Sequence, residues 1–354
     1  MISDSQAKVH ARGLALLPLI VFLAIFLGSG IYHSLIGTEF AFYQVKAPVA
    51  AIPAIILALL LYRGQLNRAI EEFLQGASHP NLILMFMVFM LAGAFASTSG
   101  AIGSVNATVQ LGLSIIPPEF VLPMLFLISA FVATAMGTSM GTIAACAPIA
   151  FGFSEATQIA TVYTIGAVVG GAMFGDNLSM ISDTTIAAVR TQKTRMKDKF
   201  KVNFWIVLPG AILTIIVLFF LTNGISIDHS KSYDYNLIKV IPYVLVLVLA
   251  LVGVNVIIVL IGGTLLSGAI GLFDGSFGWK GLLNAVSQGI IGMEDIAIIA
   301  VLIGGLVGII QHNGGIEWLL NFVRSKVTTK RGAEFGIAGL VSAADIATAN
   351  NTIS

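Results

Sequence analysis

Apolar segments of roughly 15 to 25 residues recur along the whole chain, as at 14–36, 202–222 and 241–260. A helix of about 20 apolar residues is long enough to cross the hydrocarbon core of a bilayer. Only 10% of the residues are charged, whereas soluble domains contain about 25%. The segments are continuous rather than alternating in hydrophobicity, which argues against a transmembrane β-barrel. The sequence therefore predicts an all-α, polytopic membrane protein.

The predicted membrane segments are separated by short polar loops. The first apolar segment is too long for the apolar region of a cleaved signal peptide, so we interpret it as a span. Residues 65–75 are amphipathic and predict a helix along the membrane interface. Its apolar side carries Leu66, Ile70, Phe73 and Leu74. We predict spans or part-spans at about 14–36, 47–62, 81–97, 119–136, 138–152, 156–174, 177–189, 202–222, 237–253, 255–272, 293–311 and 335–354.

The distribution of basic residues indicates which loops face the cytoplasm, because Lys and Arg are concentrated in cytoplasmic loops. The N-terminal segment contains Lys8 and Arg12, and the loops at 190–201 and 324–331 are rich in both residue types. The loop at 112–119 contains neither. We therefore predict a cytoplasmic N-terminus, with the two basic loops inside and the loop that lacks Lys and Arg outside.

A weak internal repeat links the two halves of the chain. Residues 128–139 resemble residues 341–352, which lie 213 positions later. The loops before the two copies differ in charge, so the copies are expected on opposite sides of the membrane, as in an inverted-topology repeat. We predict one unit at 1–222, comprising the N-terminal span and the first repeat, and a second repeat at 237–354. The sequence ends soon after the second copy, so this repeat is expected to be incomplete and the chain to be truncated at its C-terminus.

The segment 174–185 places two carboxylates, Asp176 and Asp183, among hydroxyl and amide groups. Charged side chains at membrane depth are energetically costly, so they mark an ion or substrate path. Gly175 is expected to interrupt the helix, giving a broken helix over 156–190 whose free carbonyl oxygens favour cations. The alternative is a cytoplasmic helix start that is capped by Asp or Ser.

Small residues and hydroxyl groups also interrupt the apolar region at 119–152. Its centre, 134–142, contains Thr138 and Ser139. Irregular backbone at membrane depth is tolerated where it lines a wet cavity, so we predict a re-entrant helical hairpin whose oxygens suit Na⁺. Small residues also permit close helix packing, and the pattern alone leaves both interpretations open. The repeated counterpart contains Asp345, Asn350, Asn351 and Thr352.

The sequence gives no support for an enzyme or for a bound cofactor. The five histidines are scattered and lack metal-ligand spacing. The glycine-rich stretches lack the lysine and the strand of a phosphate-binding loop, which argues against an ATP-driven pump. The net charge of +1 gives no indication of a nucleic-acid partner. We therefore expect no enzymatic activity, no cofactor and no nucleic-acid partner.

At these motifs the chain resembles the NhaC-type Na⁺/H⁺ antiporter family, part of a larger ion-transporter superfamily with paired re-entrant hairpins. The resemblance covers about residues 80–354 and rests on 174–176, 182–185, 137–139 and 350–352. It implies two inverted repeats, hairpins that meet near the midplane, ion sites between each hairpin tip and a broken helix, and alternating access. The chain departs from its relatives at Asn177, where they carry Lys or His, and at Met180, where they carry Pro.

The resemblance and the intramembrane carboxylates together predict a cation-coupled secondary transporter, with Na⁺/H⁺ antiport as its leading function. Two alternatives stay open, namely Na⁺- or H⁺-coupled transport of a small organic acid or amino acid, and a truncated remnant without transport. Asp176 and Asp183 are the predicted Na⁺ ligands. The full set of predicted ion- or substrate-binding residues is Asp176, Asn177, Ser182, Asp183, Thr184, Thr138, Ser139, Asp345, Asn350, Asn351 and Thr352.

The predicted surroundings follow from the same features. We expect a multi-pass protein of the bacterial inner membrane, in contact with lipid, whose substrates are small ions or small molecules. Na⁺ and H⁺ are expected as transported or coupling ions rather than as cofactors. The sequence leaves the oligomeric state open, including a homodimer.

Overall fold

The computed structural model describes residues 12–157, 159–180, 192–222 and 235–326, and also 182, 185, 188, 189, 329, 332, 334–339 and 342. Within these residues the regular secondary structure is helical throughout, and none of them lies in a strand. The predicted all-α fold is therefore confirmed.

The helices follow one another closely along the chain. They are α1 (Leu17–Leu35), α2 (Ala47–Leu61), α3 (Leu66–Ala77), α4 (Pro80–Ala101), α5 (Ser104–Ile115), α6 (Val121–Met136), α7 (Ser139–Thr157), α8 (Thr161–Leu178), α9 (Met196–Thr222), α10 (Leu237–Leu251), α11 (Val256–Phe273), α12 (Trp279–Gly292), α13 (Glu294–His312) and α14 (Gly315–Lys326).

Several helices are long and apolar enough to cross a membrane. Among the described residues there are five such segments, and the bent pair α2–α3 is a sixth candidate if it forms one span. The axes of α2 and α3 differ by 74° across a break after Leu61. The five single segments are Gly13–Leu35, Pro80–Ala101, Met196–Thr222, Val256–Phe273 and Glu294–His312. The prediction of a multi-pass membrane protein is thus confirmed.

Helices α5 and α14 were not among the predicted elements. α5 lies in a region where only a loop at 112–119 was predicted, and it extends to Ile115. α14 follows Gly314, whose φ of +80° lets the chain turn after α13. Both helices have 12 residues and carry polar side chains among their apolar ones, so neither resembles a membrane span in sequence.

The helices divide into two compact units, one with residues 1–86 and 294–354 and the other with residues 87–293. This division describes packing, whereas the predicted boundaries at 1–222 and 237–354 describe a sequence repeat. The inverted repeat therefore stays a prediction.

The core of the first unit lies between α1, α2 and α13. Its buried residues include Ala51 and Ala54 of α2, Leu306 and Ile310 of α13, and Phe22 of α1. The alanines leave room for the larger side chains of the two neighbouring helices. Close van der Waals packing of such side chains contributes to the stability of this unit.

The predicted amphipathic helix is found as α3, and it packs against α13 in the same unit. A Cβ atom on Gly76 would lie 2.3 Å from the carbonyl oxygen of Gly304, so the two backbones approach closely at this glycine. Leu66 and Leu74, both predicted on its apolar side, are exposed at 45% and 58%. The helix therefore contacts α13 through Gly76 and through the ring of Phe73, which lies against Gly305, while the two leucines are exposed.

A buried carboxylate, Glu72, joins α3 to the end of α13. Its Oε1 atom accepts a hydrogen bond from Arg68 Nε at 3.0 Å, and its Oε2 atom accepts one from Asn313 Nδ2 at 3.0 Å. Glu72 is only 5% exposed, while Arg68 lies largely in solvent or headgroups. Both carboxylate oxygens are therefore satisfied, as a buried charge requires.

Removal of this carboxylate should destabilise the first unit. We expect Glu72→Ala to lower the free energy of unfolding by about 2 kcal/mol, because a buried charge-assisted hydrogen-bond pair is lost. Glu71→Ala is the matched control, since Glu71 is exposed and should cost under about 0.5 kcal/mol. Thermal unfolding of the purified proteins in detergent measures the difference. Equal melting temperatures for the two variants would contradict a stabilising role for Glu72.

In the second unit, α6 and α8 are in backbone contact along one side of α8. A Cβ atom on Gly171 would lie 2.1 Å from the carbonyl oxygen of Phe126, and one on Gly175 would lie 2.1 Å from that of Ala130. These two glycines are four residues apart and so occupy the same face of α8. Only glycine fits at such a close helix crossing.

The expectation that Gly175 interrupts the helix is wrong. α8 continues through Gly175 and ends at Leu178. The glycine is explained by the close approach to α6 rather than by a break in the helix. A glycine that permits a crossing and one that ends a helix look the same in sequence.

The contact between α6 and α8 can be tested at Gly171, which lies one turn before the polar motif. We expect Gly171→Ala to destabilise the protein by about 1 to 3 kcal/mol, because the added methyl group overlaps the α6 backbone. Gly166→Ala is the matched control in the same helix, since no atom lies within 4 Å of its added Cβ. This control should be neutral or stabilising, because alanine favours a helix more than glycine does. Thermal unfolding in detergent compares the two variants, and similar losses in both would contradict the close contact.

Candidate ion-binding site

The two arms of the predicted hairpin are α6 and α7, which are joined by Gly137 and Thr138 alone. Gly137 has a φ of +70° and donates its N–H to the carbonyl oxygen of Ala133 at 2.8 Å, which closes the end of α6. Thr138 Oγ1 accepts a hydrogen bond from Gly141 N at 3.4 Å, in the position of an N-cap for α7. The structure thus explains the small and hydroxyl residues of this segment as a tight helix-to-helix turn. Its orientation in the membrane stays a prediction.

Asp176 lies in the last turn of α8 and reaches the first residue of α7. Its Oδ2 atom accepts a hydrogen bond from the backbone N–H of Ser139 at 3.2 Å. A helix N-terminus carries partial positive charge, so it favours a carboxylate at this position. The structure therefore brings together three predicted site residues, because Thr138, Ser139 and Asp176 meet where α7 begins.

The second oxygen of the same carboxylate is buried and unsatisfied. Asp176 is 6% exposed, and its Oδ1 atom has no hydrogen-bond partner in the described part of the chain. A buried carboxylate oxygen without a partner is unfavourable, so the site gains free energy when a cation or a proton binds there. This atom is the clearest chemical sign of a binding site in the second unit.

The position of Asp176 is fixed by the close packing of α8 on α6. Gly175 touches the α6 backbone at Ala130, as described above. Thr134 Oγ1 lies 3.2 Å from the carbonyl oxygen of Gly175 and 2.8 Å from that of Ala130, so its hydroxyl group lies between the two helices. The carboxylate therefore projects from a rigid crossing rather than from a free loop.

Asn177 is next to Asp176 in sequence, but its side chain lies elsewhere. Its Nδ2 atom donates to the carbonyl oxygen of Met173 at 3.0 Å on an exposed side of α8. The amide group thus bonds within its own helix and not to the carboxylate. The backbone carbonyl oxygen of Asn177 does belong to the site, because it accepts a hydrogen bond from Lys199 Nζ at 2.6 Å.

Lys199 was not among the predicted site residues, because it was interpreted as part of the basic cytoplasmic loop. In the structure it lies in the first turn of α9, and its ammonium group also donates to Thr185 Oγ1 at 2.6 Å. The ammonium is close enough to Asp176 for an electrostatic attraction. The charge pattern of the sequence alone does not distinguish a lysine that lies in a cytoplasmic loop from one whose side chain bonds to a binding site.

Ser182 is buried, with 1% exposure, and Thr185 beside it is 2% exposed. These residues continue the polar motif beyond the end of α8. Six other predicted site residues lie outside the described residues and stay predictions. They are Asp183, Thr184, Asp345, Asn350, Asn351 and Thr352.

The ligand atoms at this site suit a monovalent cation or a proton better than a transition metal. No group of three or more His, Cys, Asp or Glu side chains with metal-site geometry occurs among the described residues. Asp176 supplies an oxygen ligand, and hard cations such as Na⁺ prefer oxygen. The site thus offers one small cation a carboxylate whose Oδ2 atom accepts a hydrogen bond and whose Oδ1 atom has no partner among the described residues.

The turn at Gly137 can be tested separately from the carboxylate. We expect Gly137→Ala to lower stability by about 1 to 2 kcal/mol, because an L-residue is strained at a positive φ. Gly100→Ala in α4 is the control, since its added Cβ meets no atom within 4 Å and its φ is not in the left-handed region. Thermal unfolding in detergent gives the comparison. A Gly137→Ala protein as stable as the control would contradict the left-handed turn between α6 and α7.

Comparison with known proteins gives matches over this same region. Residues 81–224, which contain the hairpin and the Asp176 motif, match the sequence model of the Na⁺/H⁺ antiporter family. The chain is 25% identical over 335 residues to a "Malate-2H(+)/Na(+)-lactate antiporter" of Bacillus subtilis, and the match covers 85% of this chain and 71% of that protein.

Two further relatives are named "Na(+)/H(+) antiporter NhaC". The Bacillus subtilis protein is 24% identical over 216 residues, with 57% of this chain and 47% of the relative covered. The Alkalihalophilus pseudofirmus protein is 28% identical over 211 residues, with 58% of this chain and 44% of the relative covered. The matches thus span about half the length of these two relatives. The predicted resemblance to NhaC-type antiporters is confirmed.

Proposed function

We propose that this chain, which matches the Na⁺/H⁺ antiporter family over residues 81–224 and resembles NhaC-type relatives, is a cation-coupled secondary antiporter that exchanges Na⁺ for H⁺. The single observation that carries this proposal is the buried carboxylate of Asp176, with one oxygen on the N-terminus of α7 and the other unsatisfied in the described part of the chain. Such a group has a place for one cation or one proton.

Competition at this carboxylate would couple the two ions. When Asp176 binds Na⁺ it releases its proton, and when it is protonated it no longer attracts Na⁺. If the site opens in turn to each side of the membrane, one ion crosses in exchange for the other. The driving force comes from the ion gradients, so the proposal requires no cofactor and no enzymatic step.

The predicted ligands around Asp176 complete the proposal. Asp183, Ser182 and Thr184 would add oxygens to this first site, while Thr138 and Ser139 hold the start of α7 against it. Asp345, Asn350, Asn351 and Thr352 would contribute to a second site. The resemblance to NhaC-type antiporters supports this arrangement, together with alternating access of the hairpins.

The proposed setting is the bacterial inner membrane, with the N-terminus in the cytoplasm. The basic residues at 190–201 and 324–331 support this orientation. Lipid surrounds the exposed apolar side chains of the spans, and the transported partners are small ions. Assembly as a homodimer is compatible with the proposal and is not required by it.

A second candidate function is the exchange of cations with a small organic anion. It is favoured by the Bacillus subtilis relative that matches 85% of this chain and is named a malate-2H⁺/Na⁺-lactate antiporter. In such a transporter Asp176 would keep its role as the cation site. The organic anion would then be an additional substrate.

The proposal can be tested with Asp176→Asn, which keeps the size of the side chain and removes its charge. In everted membrane vesicles, Na⁺ addition to the wild-type protein should dissipate a preformed pH gradient, and the variant should lose nearly all of this response. Asp198→Asn is the matched control, because Asp198 is 56% exposed and pairs with Arg195 at 2.7 Å outside the site. The control should exchange at close to the wild-type rate.

The same vesicles separate the two candidate functions. Uptake of labelled malate or lactate that requires Na⁺ and Asp176 would favour the organic-anion exchanger over simple Na⁺/H⁺ exchange. Full Na⁺/H⁺ exchange by Asp176→Asn would show that the assignment of the site is wrong. Membrane insertion of each variant is checked by its yield after extraction.

A further inference from the structure

We propose that Lys199 is a built-in counter-cation of the Asp176 carboxylate, which competes with the transported cation and thereby sets its affinity. The inference rests on the proposed function, because it concerns cation binding at the same site. It assigns a role in cation affinity to a residue that lies outside both the hairpin and α8.

The ammonium of Lys199 is held at the end of α8 by two short hydrogen bonds. Its Nζ atom donates to the carbonyl oxygen of Asn177 and to Thr185 Oγ1, each at 2.6 Å. A lysine ammonium has three N–H donors, so these two bonds fix its position and leave a third donor. Carbonyl oxygens at a helix C-terminus attract positive charge, which favours this location.

The same position places a positive charge beside the carboxylate of Asp176, of which only one oxygen accepts a hydrogen bond within the described part of the chain. Asn177 directly follows Asp176, and the ammonium and the carboxylate attract each other electrostatically. Asp176 Oδ2 is occupied by Ser139 N, while Oδ1 has no hydrogen-bond partner among the described residues. Lys199 therefore compensates the charge of Asp176 without occupying this oxygen.

A small cation that binds Oδ1 would enter a region where Lys199 already supplies positive charge. The two cations repel each other, so the bound ion gains less free energy than it would at an isolated carboxylate. The lysine would lower the affinity for the ion and ease its release on the other side of the membrane. A transporter benefits from such a site, since very tight binding would trap its substrate.

Neighbouring basic residues do not share this geometry. Lys197 is exposed on the same helical turn, and Arg195 forms an ion pair with Asp198 at 2.7 Å. They belong to the basic segment that indicates topology, but within the described part of the chain neither donates a hydrogen bond to the end of α8. The effect on cation binding should thus be particular to Lys199.

The test uses Na⁺ as its probe and compares four forms of the full chain. Lys199→Gln removes the charge and keeps a hydrogen-bond donor, Lys199→Arg keeps the charge, and Lys197→Met is the control for loss of a positive charge nearby. Na⁺-dependent thermal stabilisation of the purified protein gives the half-saturating Na⁺ concentration without any transport step. Everted vesicles give the half-saturating concentration and the maximal rate of exchange.

We expect Lys199→Gln to lower the half-saturating Na⁺ concentration roughly tenfold in both measurements, because a nearby like charge is removed. Its maximal rate should fall, since the ion leaves more slowly. Lys199→Arg and Lys197→Met should keep half-saturating concentrations within about twofold of the wild type, because the positive charge beside Asp176 is kept in both. If Lys199→Gln fails to fold, Lys199→Met takes its place as the uncharged variant.

Three outcomes would count against the proposal. An unchanged half-saturating Na⁺ concentration in the uncharged variant, with a lower melting temperature, would show that Lys199 only ties α9 to α8. A weaker affinity for Na⁺ in that variant would show that Lys199 assists binding instead of opposing it. Either result leaves the proposed function intact when the wild-type protein still responds to Na⁺ and Asp176→Asn does not. No Na⁺ response in the wild-type protein would overturn both proposals.

Discussion

The hydrogen bond from the backbone N–H of Ser139 to the carboxylate of Asp176 joins the two halves of the candidate site. It connects the positive end of α7 to the last turn of α8, so the two polar interruptions that stand apart in sequence become one structural feature. Two glycines position this pair. Gly137 sets where α7 begins, and the close approach of Gly175 to α6 sets where the carboxylate lies.

The hydrophobic pattern was sufficient to predict much of this fold. Long apolar segments gave most of the spans to within a few residues, because a helix must satisfy its own backbone in lipid. The resemblance to NhaC-type antiporters was predicted from the Asp176 motif, and it is confirmed by the match over 81–224. Short helices with mixed composition, α5 and α14, were missed, because they carry no signal that is specific to a membrane span.

The site was predicted less completely than the fold, for reasons that lie in three-dimensional packing. Gly175 was expected to break α8, but only the position of the α6 backbone shows that it permits a helix crossing. Lys199 was assigned to a loop by its charge, although its ammonium bonds Asn177 O and Thr185 Oγ1. The chain lacks a basic residue at 177, and Lys199 places a positive charge at the carbonyl of that same residue. Asp183 and the residues of the second predicted site stay predictions.

Two buried carboxylates in this chain show how hydrogen bonding separates a structural charge from a chemically available one. Glu72 has both oxygens satisfied, by Arg68 and Asn313, so a cation at this group would have to displace an existing partner. Asp176 has one oxygen satisfied by Ser139 and one without a partner in the described part of the chain. Neutralisation of a buried charge is favourable, and an ion or a proton binds more readily to an oxygen that has no hydrogen-bond partner to displace. Burial of a carboxylate in a membrane protein is therefore not enough to indicate an ion site, and the state of the second oxygen is what distinguishes Asp176 from Glu72.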